Sequence, residues 1–322
     1  MSRRKDLFIQ LSRIIACLGV CGVHIGYGYE VKGIGGGVLS VGRYGLFVFF
    51  VLSGFLACMW NGEDRRTYIK KKIIRLAPIY YVSLVFCYVI HRLILCETHG
   101  NEANWLRYIL GLNAWLPSED IFWKGMHANW YVSVVWGFYI IVAFLWKRVK
   151  RTNDGFLYIA FLICSVCSIV IKQRDAMWSV NGWCYLQFFI LGMIAHQEQE
   201  KKKLIVLPII AILCVAIKPS YHTMTILLSA IYSLALGWLS GKFQLDTTNR
   251  TGKILSHIDG LTYAVFLVHP FIIDFAIDGI LAVCVNKTVA IVVTCTIIIG
   301  LAEIVHCCLE KPIQKYLMDK VG

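Results

Sequence analysis

Apolar residues fill this chain in blocks of roughly 20 positions, separated by short polar or basic stretches. A block of that length matches a helix crossing a bilayer, because a hydrocarbon core of ~30 Å takes about 20 residues at ~1.5 Å each. Such runs fall at 7–28, 43–60, 76–95, 129–146, 156–172, 182–197, 204–219, 222–240, 258–279 and 288–308. The predicted fold class is all-α: a polytopic membrane protein with about ten transmembrane helices. One domain over 1–322 is expected, with no appended soluble domain and no internal repeat. Some runs are short or broken by glycine, so their ends are defined only to within ~2–4 residues.

Charge adds an orientation. With the N-terminus placed inside, the inner segments hold 22 Lys and Arg and the outer ones 8. Basic residues concentrate on cytoplasmic loops, so both termini are expected to be cytoplasmic. This topology accounts for the net charge of +13 without nucleic acid as a partner. The basic start (Arg3, Arg4, Lys5) before an apolar run has the outline of a signal peptide. Arg13 interrupts that run and no small-x-small cleavage site follows it, so a retained first span is expected.

Composition supports a membrane protein, with 58% hydrophobic residues and 16% charged. Mean hydropathy is +0.66. The 13 cysteines lie mostly inside apolar runs, where cysteine acts as a small hydrophobe. Cys164 and Cys167 form a CxxC with no second pair nearby, so no metal site and no disulfide framework is expected.

Two ionisable residues stand inside the first run. Arg13 and His24 are 11 positions apart, or 1,100° at 100° per residue, which is about 20° from eclipsed with a rise of about 16 Å. Both side chains face the same way. Charge in a bilayer is costly, so an intramembrane ionisable residue is first read as functional. The plainer readings are a structural imidazole bonded between helices and an internal ion pair.

Arg13, ten further residues and His24 match the R-x10-H signature of the acyltransferase 3 family, integral membrane O-acyltransferases. LFVFFVLSGFLA (46–57) is similar to that family's second span, with the pair Ser53 and Gly54. KKKIIRLAPIYY (70–81) resembles its basic approach to the third span. NWYVSVVWGFYII (129–141), FFILGMIA (188–195), LTYAVFLVHPFI (261–272) and LEKPI (309–313) resemble later segments, in order. The chain departs from the pattern in three places. Lys72 replaces the first arginine of a basic pair completed by Arg75, and lysine offers a point charge where arginine offers a planar fork. Gln10 and Ser12 stand where an acidic residue is common, and Asn129 stands where many members carry histidine.

The resemblance implies the catalytic residues His24 and Arg13. An imidazole of ordinary pKa near ~6.5 suits a general base taking a proton from a sugar hydroxyl, or a transient acyl carrier. Arg13 would hold a cofactor phosphate or carbonyl, or orient His24. Lys71, Lys72 and Arg75 would hold the phosphates of acyl-coenzyme A, with Arg65 and Arg66 setting topology. Ser53, Trp130, Tyr139 and His269 are candidates for contacting substrate. For Ser53 and Gly54 the plainer role is close helix packing. For Trp130 and Tyr139 it is an interfacial aromatic belt. The long outer segment 96–128 carries Trp105, Trp115, Trp123 and His127, which suit either sugar stacking or such a belt.

The expected function is transfer of an acyl group, expected to be acetyl, from cytoplasmic acetyl-CoA or another acyl-CoA to a hydroxyl of an extracytoplasmic glycan. This is polysaccharide O-acetylation in the cell envelope, placed in the bacterial cytoplasmic membrane. No permanently bound cofactor is expected; the donor is a substrate. The alternative is a multi-span transporter exporting a glycan intermediate or acyl donor. It predicts inverted repeats and broken helices in matching halves, and the sequence has neither. A structural or regulatory subunit of an envelope assembly is a third possibility.

Overall fold

The fold is that of a computed structural model, which describes residues 4–60, 64–90, 102–116, 128–149, 155–174, 181–198, 200–284 and 286–321. Trp123 and His127 lie outside the described residues. A short strand β1 (Arg4–Asp6) leads into helices α1 (Leu7–Gly28), α2 (Gly33–Val41), α3 (Gly45–Ala57) and α4 (Arg65–Val89). Then come α5 (Glu102–Ile109), α6 (Asn129–Val149), α7 (Gly155–Arg174), α8 (Leu186–Gln197), α9 (Val206–Ile217) and α10 (Tyr221–Leu239). Strand β2 (Gln244–Asp246) precedes α11 (Arg250–Val283), α12 (Lys287–Val305) and α13 (Lys311–Asp319).

Each of the ten apolar runs is helical over most of its length. Among the described residues, six helical stretches are long and apolar enough to cross a bilayer: Leu7–Gly28, Gly33–Ala57, Arg65–Val89, Tyr221–Leu239, Arg250–Val283 and Lys287–Asp319. Asn129–Leu145 and Gly155–Ile171 are shorter apolar helices. The runs at 182–197 and 204–219 end as the 12-residue helices α8 and α9. Twelve residues rise only about 18 Å, short of a ~30 Å core. A local cause is visible before α8. The Asn181 side chain accepts from Trp183 N at 3.0 Å and caps a 3-10 turn, Gly182–Tyr185, that delays the α-helix.

α4 starts 11 residues before its predicted apolar run. Asp64 caps it: Oδ1 accepts from Arg66 N at 2.9 Å and Oδ2 from the Thr67 hydroxyl. The Thr67 bond, then the backbone amides of Arg66 and Thr67, hold the Asp64 carboxyl below the usual carboxylate range. Its contribution to stability is present above the unfolded pKa and is lost as pH falls through the depressed one.

The chain forms two compact units. The first comprises Met1–Ala16, Tyr44–Ile69 and Val134–Ser256. β1 and β2 pair antiparallel, with Lys5 opposite Leu245. Asp6 both caps α1, accepting from Ile9 N at 3.1 Å, and accepts from Gly241 N at 2.5 Å. Three-residue strands carry no alternating pattern, which is why periodicity does not reveal them.

The core of this unit is α3 against α8. A Cβ on Gly54 would lie 1.9 Å from the Phe189 carbonyl oxygen, and one on Gly192 1.9 Å from that of Val51. The two backbones meet because both positions lack side chains. Aromatic rings close around the crossing, with Phe47–Phe188 centroids at 4.6 Å and Phe138–Phe189 at 5.0 Å. Gly192→Val is expected to destabilise the protein by roughly 1–3 kcal/mol through overpacking. Thermal unfolding in detergent would read this as a lower midpoint, and an unchanged midpoint would contradict the close contact.

The second unit comprises Cys17–Arg43, Lys70–Ser133 and His257–Gly322. Ile25 and Tyr29 pack with Ile273, Ile277, Ala290 and Ile298 in its core. The buried Tyr29 hydroxyl lies 2.5 Å from Thr294 Oγ1 and 3.1 Å from the Ala290 carbonyl, so no polar group is stranded there.

Candidate active site

His24 lies on the half of α1 that belongs to the second unit and is half-buried. α11 brings His269 to it. The ring centroids are 5.1 Å apart and the planes are tilted by 55°. His269 is 1% exposed and immediately precedes the helix-interior Pro270. Its Nδ1 lies 3.2 Å from the Val265 carbonyl. A carbonyl only accepts, so Nδ1 carries the hydrogen and donates, and in the neutral ring Nε2 is the lone-pair nitrogen.

That Nε2 is buried and meets no hydrogen-bond partner among the described residues. The Cys21 thiol, nearly one turn before His24 on α1, is a polar group within electrostatic and hydrogen-bonding reach of His269. Phe266 and Tyr131 form an aromatic wall beside this pair, with Phe266–His269 centroids at 5.8 Å and Tyr131–Phe266 at 5.3 Å. Two imidazoles thus meet in an apolar setting, one with an unmet acceptor. Buried polar groups are almost always bonded, so an orphan of this kind marks a place where a ligand or water belongs.

Asn129 is buried and donates through Nδ2 to Ser83 Oγ at 3.0 Å. Ser83 in turn donates to the Tyr80 carbonyl at 2.7 Å. Asn129 therefore ties α6 to α4. Trp130 follows it and is half-buried. Ser133 fastens the segment after α5: its hydroxyl donates to the Gly111 carbonyl at 2.5 Å, and its own carbonyl accepts from Trp115 Nε1 at 2.9 Å. Trp115, offered by the sequence as a sugar-stacking residue, has its ring nitrogen engaged inside the protein. In the same segment Asn113 is 2% exposed, and neither side-chain amide atom has a partner among the described residues. Sequence reading passed over Asn113, because a lone asparagine in a loop carries no spacing signal.

The candidate donor residues lie on α4. Lys71 and Arg75 are exposed and Lys72 is half-buried. The Arg75 carbonyl accepts from Gln314 Nε2 of α13 at 2.6 Å, and the same amide donates to Glu310 Oε1 at 3.0 Å. Glu310 is buried; its Oε2 lies 2.5 Å from His306 Nδ1 within a π-helical turn, His306–Glu310. A second imidazole–carboxylate pair, His257 Nε2 to Glu303 Oε2 at 2.9 Å, stands next to it, with the His257 and His306 rings 6.1 Å apart. The spacing of four between His306 and Glu310 is legible in sequence as a helical pair. The link between His257 and Glu303 is not, because it joins two helices.

Three candidates belong to the first unit. Arg13 is half-buried and within electrostatic reach of Tyr232. Ser53 is buried beside Gly54 at the α3–α8 crossing. Tyr139 is buried between Tyr68 and Phe189, with centroids at 6.3 and 6.2 Å.

A family model described as an acyltransferase domain (acyltransferase 3) matches residues 6–304, almost the whole chain. The chain belongs to the acyltransferase 3 family. No curated protein and no solved structure matches it. Membership together with the apolar helices makes it a multi-pass membrane acyltransferase, working with an acyl donor and an acceptor at a bilayer.

Proposed function

We propose that this acyltransferase moves an acyl group, acetyl in the first instance, from acyl-CoA to a hydroxyl of an extracytoplasmic glycan. His24 acts as general base. The observation that carries this reading is the pairing of His24 with His269, a buried imidazole whose Nδ1 is held by the Val265 carbonyl.

His24 takes the hydroxyl proton as the acceptor oxygen attacks the thioester carbonyl. The C–S bond breaks, coenzyme A leaves as thiolate, and His24 returns the proton to sulfur. The imidazolium formed in between is stabilised by an acceptor beside it, and His269 Nε2 offers that lone pair. His269 is then a positioning residue. Lys72 and Arg75, with Lys71 at their margin, meet the donor's phosphates, and Arg13 holds a donor phosphate or carbonyl. Trp130, Tyr139 and Ser53 are carried as acceptor or donor contacts on the resemblance. The bias of basic residues supports a cytoplasmic donor side, with both termini on that side.

His269→Gln is expected to lower kcat about tenfold or more, the worth of one hydrogen bond to a charged group, with donor KM unchanged. It should also shift the acid limb of the pH profile. A KM change with an unshifted profile would assign His269 to packing. The function itself is tested in sealed proteoliposomes of known orientation, with acetyl-labelled acetyl-CoA on one side and glycan on the other. Base-labile label on the glycan, formed only when donor faces the basic loops, supports the proposal. Glycan that crosses unmodified supports a transporter.

A further inference from the structure

The turn of α4 that carries Arg75 is held from outside its own helix. Pro78 has no N–H, so it cannot donate to the Ile74 carbonyl four residues back. The next two carbonyls are met by side chains of other elements. Gln314 Nε2 of α13 donates to Arg75 O, and the Tyr263 hydroxyl of α11 donates to Leu76 O, both at 2.6 Å. Neighbouring helices support a proline turn within a membrane in this way. All of these residues belong to the second unit.

Gln314 is itself held. Its amide nitrogen carries two hydrogens. One goes to Arg75 O and the other to Glu310 Oε1, one turn earlier in the chain, at 3.0 Å. Glu310 is 5% exposed, and its second oxygen, Oε2, accepts from His306 Nδ1 at 2.5 Å. A wider π turn, His306–Glu310, carries that pair, and such turns are frequent at functional sites. The His306 ring packs over Gly260 of α11, where an added Cβ would lie 3.1 Å from Nε2. The Glu310 carboxylate is therefore gripped at both oxygens. A line of bonds runs from His306 through Glu310 and Gln314 and ends on the backbone of Arg75. The charge of Glu310 also reaches Arg75 electrostatically.

A guanidinium meets phosphate through a planar fork, which rewards a set orientation more than a point charge does. The Arg75 side chain is exposed, so its backbone is the part that the fold can fix. We propose that Gln314, held by Glu310, is a positioning residue that sets Arg75 for the phosphates of the acyl donor. This rests on the donor role proposed for Arg75 above. The effect falls on donor binding and not on acyl transfer itself.

The test is a double-mutant cycle on coenzyme A binding, measured by calorimetry with full-length protein in nanodiscs. Pantetheine, which lacks the nucleotide and its phosphates, is the control ligand. Gln314→Met keeps the side chain's length and removes its N–H groups. The position is half-buried on α13, so the change does not threaten folding. It is expected to weaken coenzyme A binding about fivefold, the effect of one ordinary hydrogen bond, and to leave pantetheine unchanged. Arg75→Gln is expected to weaken coenzyme A binding about tenfold, the effect of one bond to a charged group. With Arg75→Gln already present, Gln314→Met should add less than about twofold, because the brace then holds no guanidinium. Fully additive losses, or a Gln314→Met loss shared by pantetheine, would assign Gln314 to packing and overturn the proposal. A loss with Arg75→Gln but none with Gln314→Met would overturn it and leave the donor role of Arg75 standing. No coenzyme A binding by wild type, or binding unmoved by Arg75→Gln, would remove that donor role and the positioning role with it.

Discussion

His24→Ala is expected to lower acyl transfer by about 10²–10⁴-fold, the usual contribution of a positioned base. The loss should fall on kcat, because the imidazole acts on the proton in flight and not on the bound donor. The half-buried position of His24 makes the substitution tolerable for folding, and a size-exclusion profile matching wild type would confirm it. The pH profile supplies a second readout. A general base works only unprotonated, so wild-type activity falls as pH drops through the base's pKa. The residual activity of His24→Ala should lack that acid limb. Equal activity in wild type and variant would remove His24 from the chemistry.

The second large effect is expected at the donor. The double variant Lys72→Gln, Arg75→Gln should raise the KM for acetyl-CoA by about 10–100-fold, the loss of one to two charge-assisted contacts. It should leave kcat at saturating donor nearly unchanged, since those phosphates are remote from the thioester. A truncated pantetheine thioester, which lacks the nucleotide, isolates the cause. Wild type should prefer acetyl-CoA to the truncated donor, and the double variant should lose that preference. The Arg75 carbonyl bond to Gln314 does not depend on the side chain, so it survives the substitution. A general structural defect would lower the use of both donors alike. Rising salt should weaken acetyl-CoA use in wild type more than in the variant.

Much of the architecture is legible in the sequence because the bilayer imposes a simple code. Runs of about 20 apolar residues become helices, and each predicted run is helical. What the code misses is local. α4 extends back to Arg65 through a basic stretch that hydropathy ends at residue 76, because Asp64 and Thr67 cap a turn that has no apolar signal. The runs that become α8 and α9 reach the expected hydropathy but not the length, since a side-chain cap and 3-10 turns take up their first residues. Candidate residues such as His24 are found by spacing within one helix. The partner His269 stands 245 positions further on. Its proximity follows from how α1 and α11 pack, which no periodicity encodes. Asn113 and the His257–Glu303 link are hidden for the same reason: their meaning lies in burial and in missing or cross-helix bonds.

Transfer by the purified protein alone decides between an acyltransferase and a transporter. Wild type in lipid is given acetyl-labelled acetyl-CoA and an envelope glycan extract. Label is expected on the glycan, released by mild base as acetate, with coenzyme A formed in equal amount. Coenzyme A released at the same rate without glycan, or glycan left unlabelled across acceptors that bind the protein, would contradict it.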